Sequence, residues 1–161
     1  MTASDEQHIH TSENTREYVT FEIADQLFGI EVTSIHDVFQ PHSLTTVPMA
    51  PPEVKGVLNL RGRIVTAIDA RERLGMPKPE DKNHQDMAIG VELGNESYGL
   101  IIDRVGEVLR LDTSDREALP SNIDPVWQSV SHGIYRLEGQ LLIILDIEKM
   151  LNISTESARA A

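Results

Sequence analysis

The sequence predicts an all-β fold with short helices, built as two small barrels of about five strands each and related by a pseudo-twofold axis. Three observations carry this prediction. The stretch Gly56-Val-Leu-Asn-Leu-Arg-Gly-Arg-Ile-Val-Thr-Ala-Ile-Asp69 returns in degenerate form as Gly133-Ile-Tyr-Arg-Leu-Glu-Gly-Gln-Leu-Leu-Ile-Ile-Leu-Asp146, 77 positions on (133 − 56). Ala88 to Leu93 and Glu96 to Ile102 likewise repeat Tyr18 to Ile23 and Gln26 to Val32, 70 positions on (99 − 29). Both copies alternate apolar and polar residues, turn at Leu-x-Gly, and resume in a short apolar run that suits a strand buried on both faces.

In chain order, residues 1–16 lack hydrophobic periodicity and read as a disordered tail. Tyr18 to Ala24 alternates as a half-buried strand, Asp25-Gln26 reads as a turn, and Leu27 to Val32 is the partner strand. Ser34 to Phe39 reads as an extended segment or short helix, with Ile35 and Val38 to one side and the Asp37 carboxylate exposed on the other. Pro41, Pro48, Pro51 and Pro52 exclude a central strand from Gln40 to Val54, and a rigid connector is favoured there over a Pro-rich ligand. The Gly56 to Asp69 hairpin leads into a short helix ending at Gly75, with Asp69 as N-cap and Glu72 at the capping-box position. Residues 76–86 read as a linker between repeat halves at about 18–75 and 87–152, both within one domain spanning 17–152. The change in displacement from 70 to 77 assigns seven extra residues to the Leu111 to Trp127 connector. Asp146 caps a last short helix, and 153–161 read as a C-terminal tail.

A net charge of −12 argues against nucleic acid and anionic membrane as partners, since both would be repelled. Aromatic residues, at 4%, are too few for a base-stacking platform. There is no Cys, which removes disulfides and thiol nucleophiles. The first residues do not read as a signal peptide, and the longest apolar run, Leu141 to Leu145, is far short of the ~20 residues of a membrane span. The P-loop, nucleophile-elbow, zincin and dinucleotide-binding signatures are missing. His8 and His10 have metal-like spacing but fall in the tail, and His36, His42, His84 and His132 read as surface or turn residues. Asp69 and Asp146 could be drawn as an acid/base pair, but their identical place after repeated strands favours helix capping. No catalytic residue, metal or cofactor is expected.

Several ordered matches then carry a resemblance: Phe28-Gly-Ile-Glu-Val32 with Ile35-His-Asp-Val38, Val47-Pro-Met-Ala-Pro51, Gly56 to Val65 around Asn59-Leu-Arg-Gly62, Gly99 to Val108, and Leu142 to Leu151. From Tyr18 to Leu151 the chain resembles the CheW family of chemotaxis coupling proteins. The resemblance implies two intertwined five-stranded SH3-like barrels and a non-enzymatic adaptor, monomeric on its own. Such an adaptor couples the cytoplasmic tips of methyl-accepting chemoreceptors to the regulatory domain of the histidine kinase CheA, in arrays beneath the inner membrane. It implies a receptor contact at Ile35, Asp37 and Arg61, and a kinase contact around Lys55, Gly56 and Gly62. Asp37 stands where a Glu is usual, Thr66 where a Pro is common and Ala70 where a Leu is common. Two alternatives remain at this stage: a paralogous adaptor for a non-motility array, and a small-ligand-binding double barrel using Asp37, Arg61 and Glu107.

The repeat sharpens these expectations. Gly56, Leu60, Gly62 and Asp69 recur as Gly133, Leu137, Gly139 and Asp146, so the fold accounts for them. Arg61 does not recur, because Glu138 stands in its place.

Overall fold

The computed structural model describes residues 14–81 and 84–152; the terminal tails, with His8 and His10, lie outside the described residues. The alternating segments form ten strands: β1 (Thr15–Ile23), β2 (Gln26–Glu31), β3 (Ile35–Phe39), β4 (Val54–Leu60), β5 (Arg63–Asp69), β6 (Met87–Leu93), β7 (Glu96–Ile102), β8 (Arg104–Asp112), β9 (Ser131–Leu137) and β10 (Gln140–Leu145). The short helices are α1 (Ala70–Leu74), α2 (Pro125–Ser129) and α3 (Ile147–Met150).

The strands make two five-stranded sheets, ordered β8-β1-β2-β10-β9 and β3-β6-β7-β5-β4. Each sheet takes strands from both repeat halves, so the halves exchange strands, a point the repeat alone leaves open. The halves meet at four ladders, the equivalent parallel pairings β2 with β10 and β5 with β7 and the equivalent antiparallel pairings β1 with β8 and β3 with β6; the remaining ladders are antiparallel hairpins.

Each sheet curls until its edges meet. Thr45 and Val57 exchange backbone hydrogen bonds of 2.8 Å in each direction, joining the chain after β3 to β4. Glu117 and Ile134 do the same between the chain after β8 and β9. These closures explain two of the recurring glycines. A Cβ on Gly56 would stand 2.6 Å from the Thr45 carbonyl oxygen, and one on Gly133 would stand 2.7 Å from that of Glu117.

The largest core cluster draws on both sheets, including Phe21, Ile30, Ile68, Ile89, Leu100 and Ile143. Each sheet has a smaller cluster on its other face. Tyr18, Tyr135, Leu142 and Ile144 fill one, and Leu58, Val65, Ala67 and Ile101 the other. Along β10, Leu142 and Ile144 therefore face the smaller cluster while Ile143 and Leu145 face the shared core, which is why the run is apolar throughout.

Asp69 caps α1 by accepting from Arg71 N (3.0 Å) and Glu72 N (3.4 Å), and Gly75 ends it in the left-handed conformation. The capping box does not close from the other side, since the Asp69 amide donates to Glu53 O at 2.7 Å. Asp146 caps α3 through Lys149 N at 3.3 Å.

Several segments differ from the sequence expectation. β1 begins at Thr15, inside the segment read as a tail, because Thr15 and Arg16 pair with Asp112 and Leu111. The first turn is Ala24-Asp25, both left-handed, with Ile23 paired to Gln26. The extra residues of the second connector include α2, which lies beyond the Glu117 closure and has no counterpart between Thr45 and β4. Its Trp127 packs on Phe28 with ring centroids 5.6 Å apart and donates its indole N–H to Leu74 O at 2.8 Å, finishing α1.

The segment read as a linker is tied down by ion pairs. Asp103, following β7, accepts a forked pair from Arg71 of α1 (2.6 and 3.2 Å) and the Ala24 amide (2.8 Å). His84, read as a surface residue, is half-buried with Nε2 3.0 Å from Asp86 and 3.4 Å from Asp103, and Asp86 also meets Lys55 at 3.0 Å. Burial raises the Asp103 carboxyl, but the Arg71 and Ala24 hydrogen bonds and the nearby positive charge outweigh it and hold the group below the usual range.

Two predictions follow from this architecture. Gly56→Ala and Gly133→Ala should destabilise the protein alike, by about 1–3 kcal/mol each, because each drives a Cβ into a backbone carbonyl; urea denaturation of both variants measures this. A lowered folded pKa at Asp103 contributes stability above the unfolded carboxyl value of about 3.9 and loses it as pH falls through the folded value. The urea midpoint of the wild type should therefore fall more on acidification below about pH 4 than that of Asp103→Asn.

Candidate functional site

A bulge sets up the site. β3 pairs with β6 antiparallel, but the register shifts between Ile35, opposite Val91, and Asp37, opposite Gly90. The extra residue reverses the usual alternation. Ile35 packs against the shared core, whereas Asp37 and Phe39 both lie over Gly90. The Asp37 side chain is only 24% exposed, so it is recessed rather than free on the surface, and Val38 is the more exposed neighbour at 40%.

Glycines make room for this arrangement. Gly90 on β6 faces Gly99 on β7 directly, and the Phe39 ring lies 3.4 Å and 3.0 Å from the Cβ positions of the two. A Cβ at Gly90 would overlap Asp37 Oδ1. In the other sheet Thr20 and Gly29 occupy the equivalent pair, and Thr20 donates its hydroxyl to Glu107 O at 2.7 Å. Glu107, the acid equivalent to Asp37, is exposed. The two acids thus share a place in the repeat but not an environment.

Arg61 sits at the tip of the β4–β5 hairpin, where Leu60 pairs with Arg63 across a two-residue turn. Arg61 (φ 53°) and Gly62 (φ 84°) are both left-handed, the type I′ geometry that matches strand twist, and Asn59 Oδ1 accepts the Gly62 amide at 2.9 Å. Gly139 repeats the left-handed glycine (φ 80°), but Glu138 is not left-handed. Of these two hairpin turns, only that at Arg61 holds a long side chain in a conformation that costs about 1–2 kcal/mol.

The Arg61 guanidinium reaches Asp37 at 3.8 Å while remaining 82% exposed. Such a pair contributes roughly 0–1 kcal/mol, so its effect is to orient the guanidinium. Beside it Glu92 joins Arg63 (2.6 Å) and His36 (3.3 Å), and Ile64 stands 63% exposed. Tyr98 on β7 donates to Glu96 at 2.5 Å, and burial, then this bond, pushes its hydroxyl up to about 12. The cavity next to Asp37 is about 10 Å³, too small for an organic ligand. Glu107 lies in the other sheet, so it does not converge with Asp37 and Arg61. What the patch offers is a surface: an oriented cation, a recessed anion and exposed apolar groups.

Ile35, Asp37 and Arg61 are thus brought to one end of one sheet, with Ile35 supporting from the core. The second set is divided. Lys55 and Gly56 stand at the start of β4, and Gly62 lies beyond its other end, about 20 Å away along the strand. Lys55 pairs with Asp86, and the Gly62 Cβ direction is open, next to Arg61. Gly90 escaped the sequence reading. Its signal was a glycine inside a strand, opposite Thr20 in the repeat.

The CheW-like domain family model matches residues 17–154. The chemotaxis protein CheW of Thermotoga maritima is 31% identical over 135 residues, covering 84% of this chain and 87% of that protein. CheW of Rhizobium meliloti is 26% identical over 141 residues, covering 88% and 90%. The crystal structure of the scaffolding protein TtCheW from Thermoanaerobacter tengcongensis superposes with a TM-score of 0.72 at 30% identity, covering 81% of this chain and 88% of that one.

Arg61→Asn should stabilise the fold by about 0.5–1 kcal/mol, because Asn-Gly suits a type I′ turn, and raise Tm by about 1–4 °C in a thermal melt.

Proposed function

The chain belongs to the CheW-like domain family, and we propose that it is a non-enzymatic chemotaxis adaptor. In this reading it couples the cytoplasmic tips of methyl-accepting chemoreceptors to the regulatory domain of the histidine kinase CheA, in arrays on the cytoplasmic side of the membrane. The observation that carries the receptor contact is the Arg61–Asp37 pair, which one repeat has and the other replaces with Glu138 and an exposed Glu107.

Arg61 would pair with a carboxylate or backbone carbonyl on the receptor helices, with Asp37 fixing its direction and Ile35 holding β3 in register. Ile64, on the same hairpin, supplies exposed apolar area near it. The kinase contact is assigned to Lys55 and Gly56, at the far end of β4. Gly62 adjoins Arg61 and falls with the receptor-facing patch. Two partners could then be held at once, and signal would pass if their contacts differ between kinase-on and kinase-off states.

Titration of a receptor tip fragment and of the kinase regulatory domain tests this. Wild-type protein should bind both, and Arg61→Glu should weaken the receptor contact at least about 10-fold, since it adds a carboxylate beside Asp37, while changing kinase affinity less than about twofold. Failure of the wild type to bind either partner would sink the adaptor reading, and an unchanged receptor affinity in the variant would remove Arg61 from the contact.

A further inference from the structure

We propose that Gly90 is the positioning residue of this site: the space left by its missing side chain is a notch that holds the Asp37 carboxylate and thereby aims Arg61. This rests on the reading above that Asp37 and Arg61 face a receptor.

Gly90 is buried in the interior of β6 and its backbone conformation makes no demand for glycine, since it is not among the left-handed residues. Glycine inside a strand weakens it and marks a close approach by another group. Here the approaching group is Asp37: an added Cβ would overlap Oδ1 and stand 3.3 Å from Cγ. The obstructing atom is the end of a side chain that can rotate, so a larger residue at 90 would displace the carboxylate rather than the sheet.

The contrast with the other barrel separates this glycine from those required by the fold. Gly99 recurs as Gly29, whereas Gly90 is replaced by Thr20. Where Thr20 stands, the equivalent acid Glu107 is exposed and only its backbone carbonyl is engaged. Notch and recessed acid occur together, and only in the sheet that carries Arg61. The notch also suits the short acid, because a Cβ-linked carboxylate can lie over β6 and still reach the guanidinium at 3.8 Å.

The geometry yields a specificity consequence. A partner's carboxylate or carbonyl meets the guanidinium from its exposed side, with the Asp37 carboxylate recessed behind it. Pushing the carboxylate out of the notch places a second, free anion in that path.

The test combines a structure and a double-mutant cycle. A crystal structure of Gly90→Ala should show the Asp37 carboxylate rotated away with β3 and β6 in place. An unmoved carboxylate with displaced strands would overturn the proposal without reference to any partner. In titrations with the receptor tip, Gly90→Ala should weaken binding about 5-fold or more with kinase affinity unchanged, and should cost less than about twofold when introduced into Asp37→Ala. Equal losses in both backgrounds, or no loss in the single variant, would overturn it. If the wild type binds no receptor tip, the adaptor reading fails, and the rotation of Asp37 in the variant still decides whether Gly90 holds the carboxylate.

Discussion

A parallel pairing lies inside each sheet, and the remaining architecture is built outward from it. β2 lies beside β10 and β5 beside β7, each pair uniting strands from opposite repeat halves. Parallel neighbours cannot be joined by a tight turn: β5 reaches β7 through α1, the linker and β6 within one sheet, while the whole of that sheet intervenes in the chain between β2 and β10. Neither half can then complete a barrel alone, and the largest core cluster is common to both. The Arg71–Asp103 pair and Trp127 reinforce the same junction from the outside.

On this frame the molecule keeps what each barrel needs and varies what it does not. Closure brings a carbonyl so near the first residues of β4 and β9 that glycine is required at both. The Leu-x-Gly turns and the Asp caps recur for the same reason. Arg61, Gly90 and the recessed Asp37 do not recur in kind, and all three converge on one end of one sheet. The left-handed Arg61 is a local cost in stability that the rest of the hairpin sustains, the usual position of a contact residue held in place by a rigid scaffold.

Much of this was legible in the residues. Alternation, the turn glycines and the Asp caps identified most of the strands, the two repeated Leu-x-Gly hairpins and the starts of α1 and α3, because each depends on neighbours within a few positions. Arg61 stood out because a repeat exposes whatever one copy lacks. Other features were hidden. Thr15 and Arg16 have no periodicity of their own and become strand only by pairing with β8. The recessed state of Asp37 follows from a bulge and from a glycine 53 positions away (90 − 37), and neither is a local property.

The sequence by itself determined that one β unit is used twice, where it turns, and which charge breaks the repeat, since all of these reside in short-range pattern and direct comparison of copies. Only the tertiary structure decided which strands share a sheet, that the linker is held through His84 and Asp86 by Asp103 and Lys55, and that Gly90 belongs to the same site as Asp37. Those outcomes depend on which distant strands hydrogen-bond, and two copies of one unit are locally compatible with either partner.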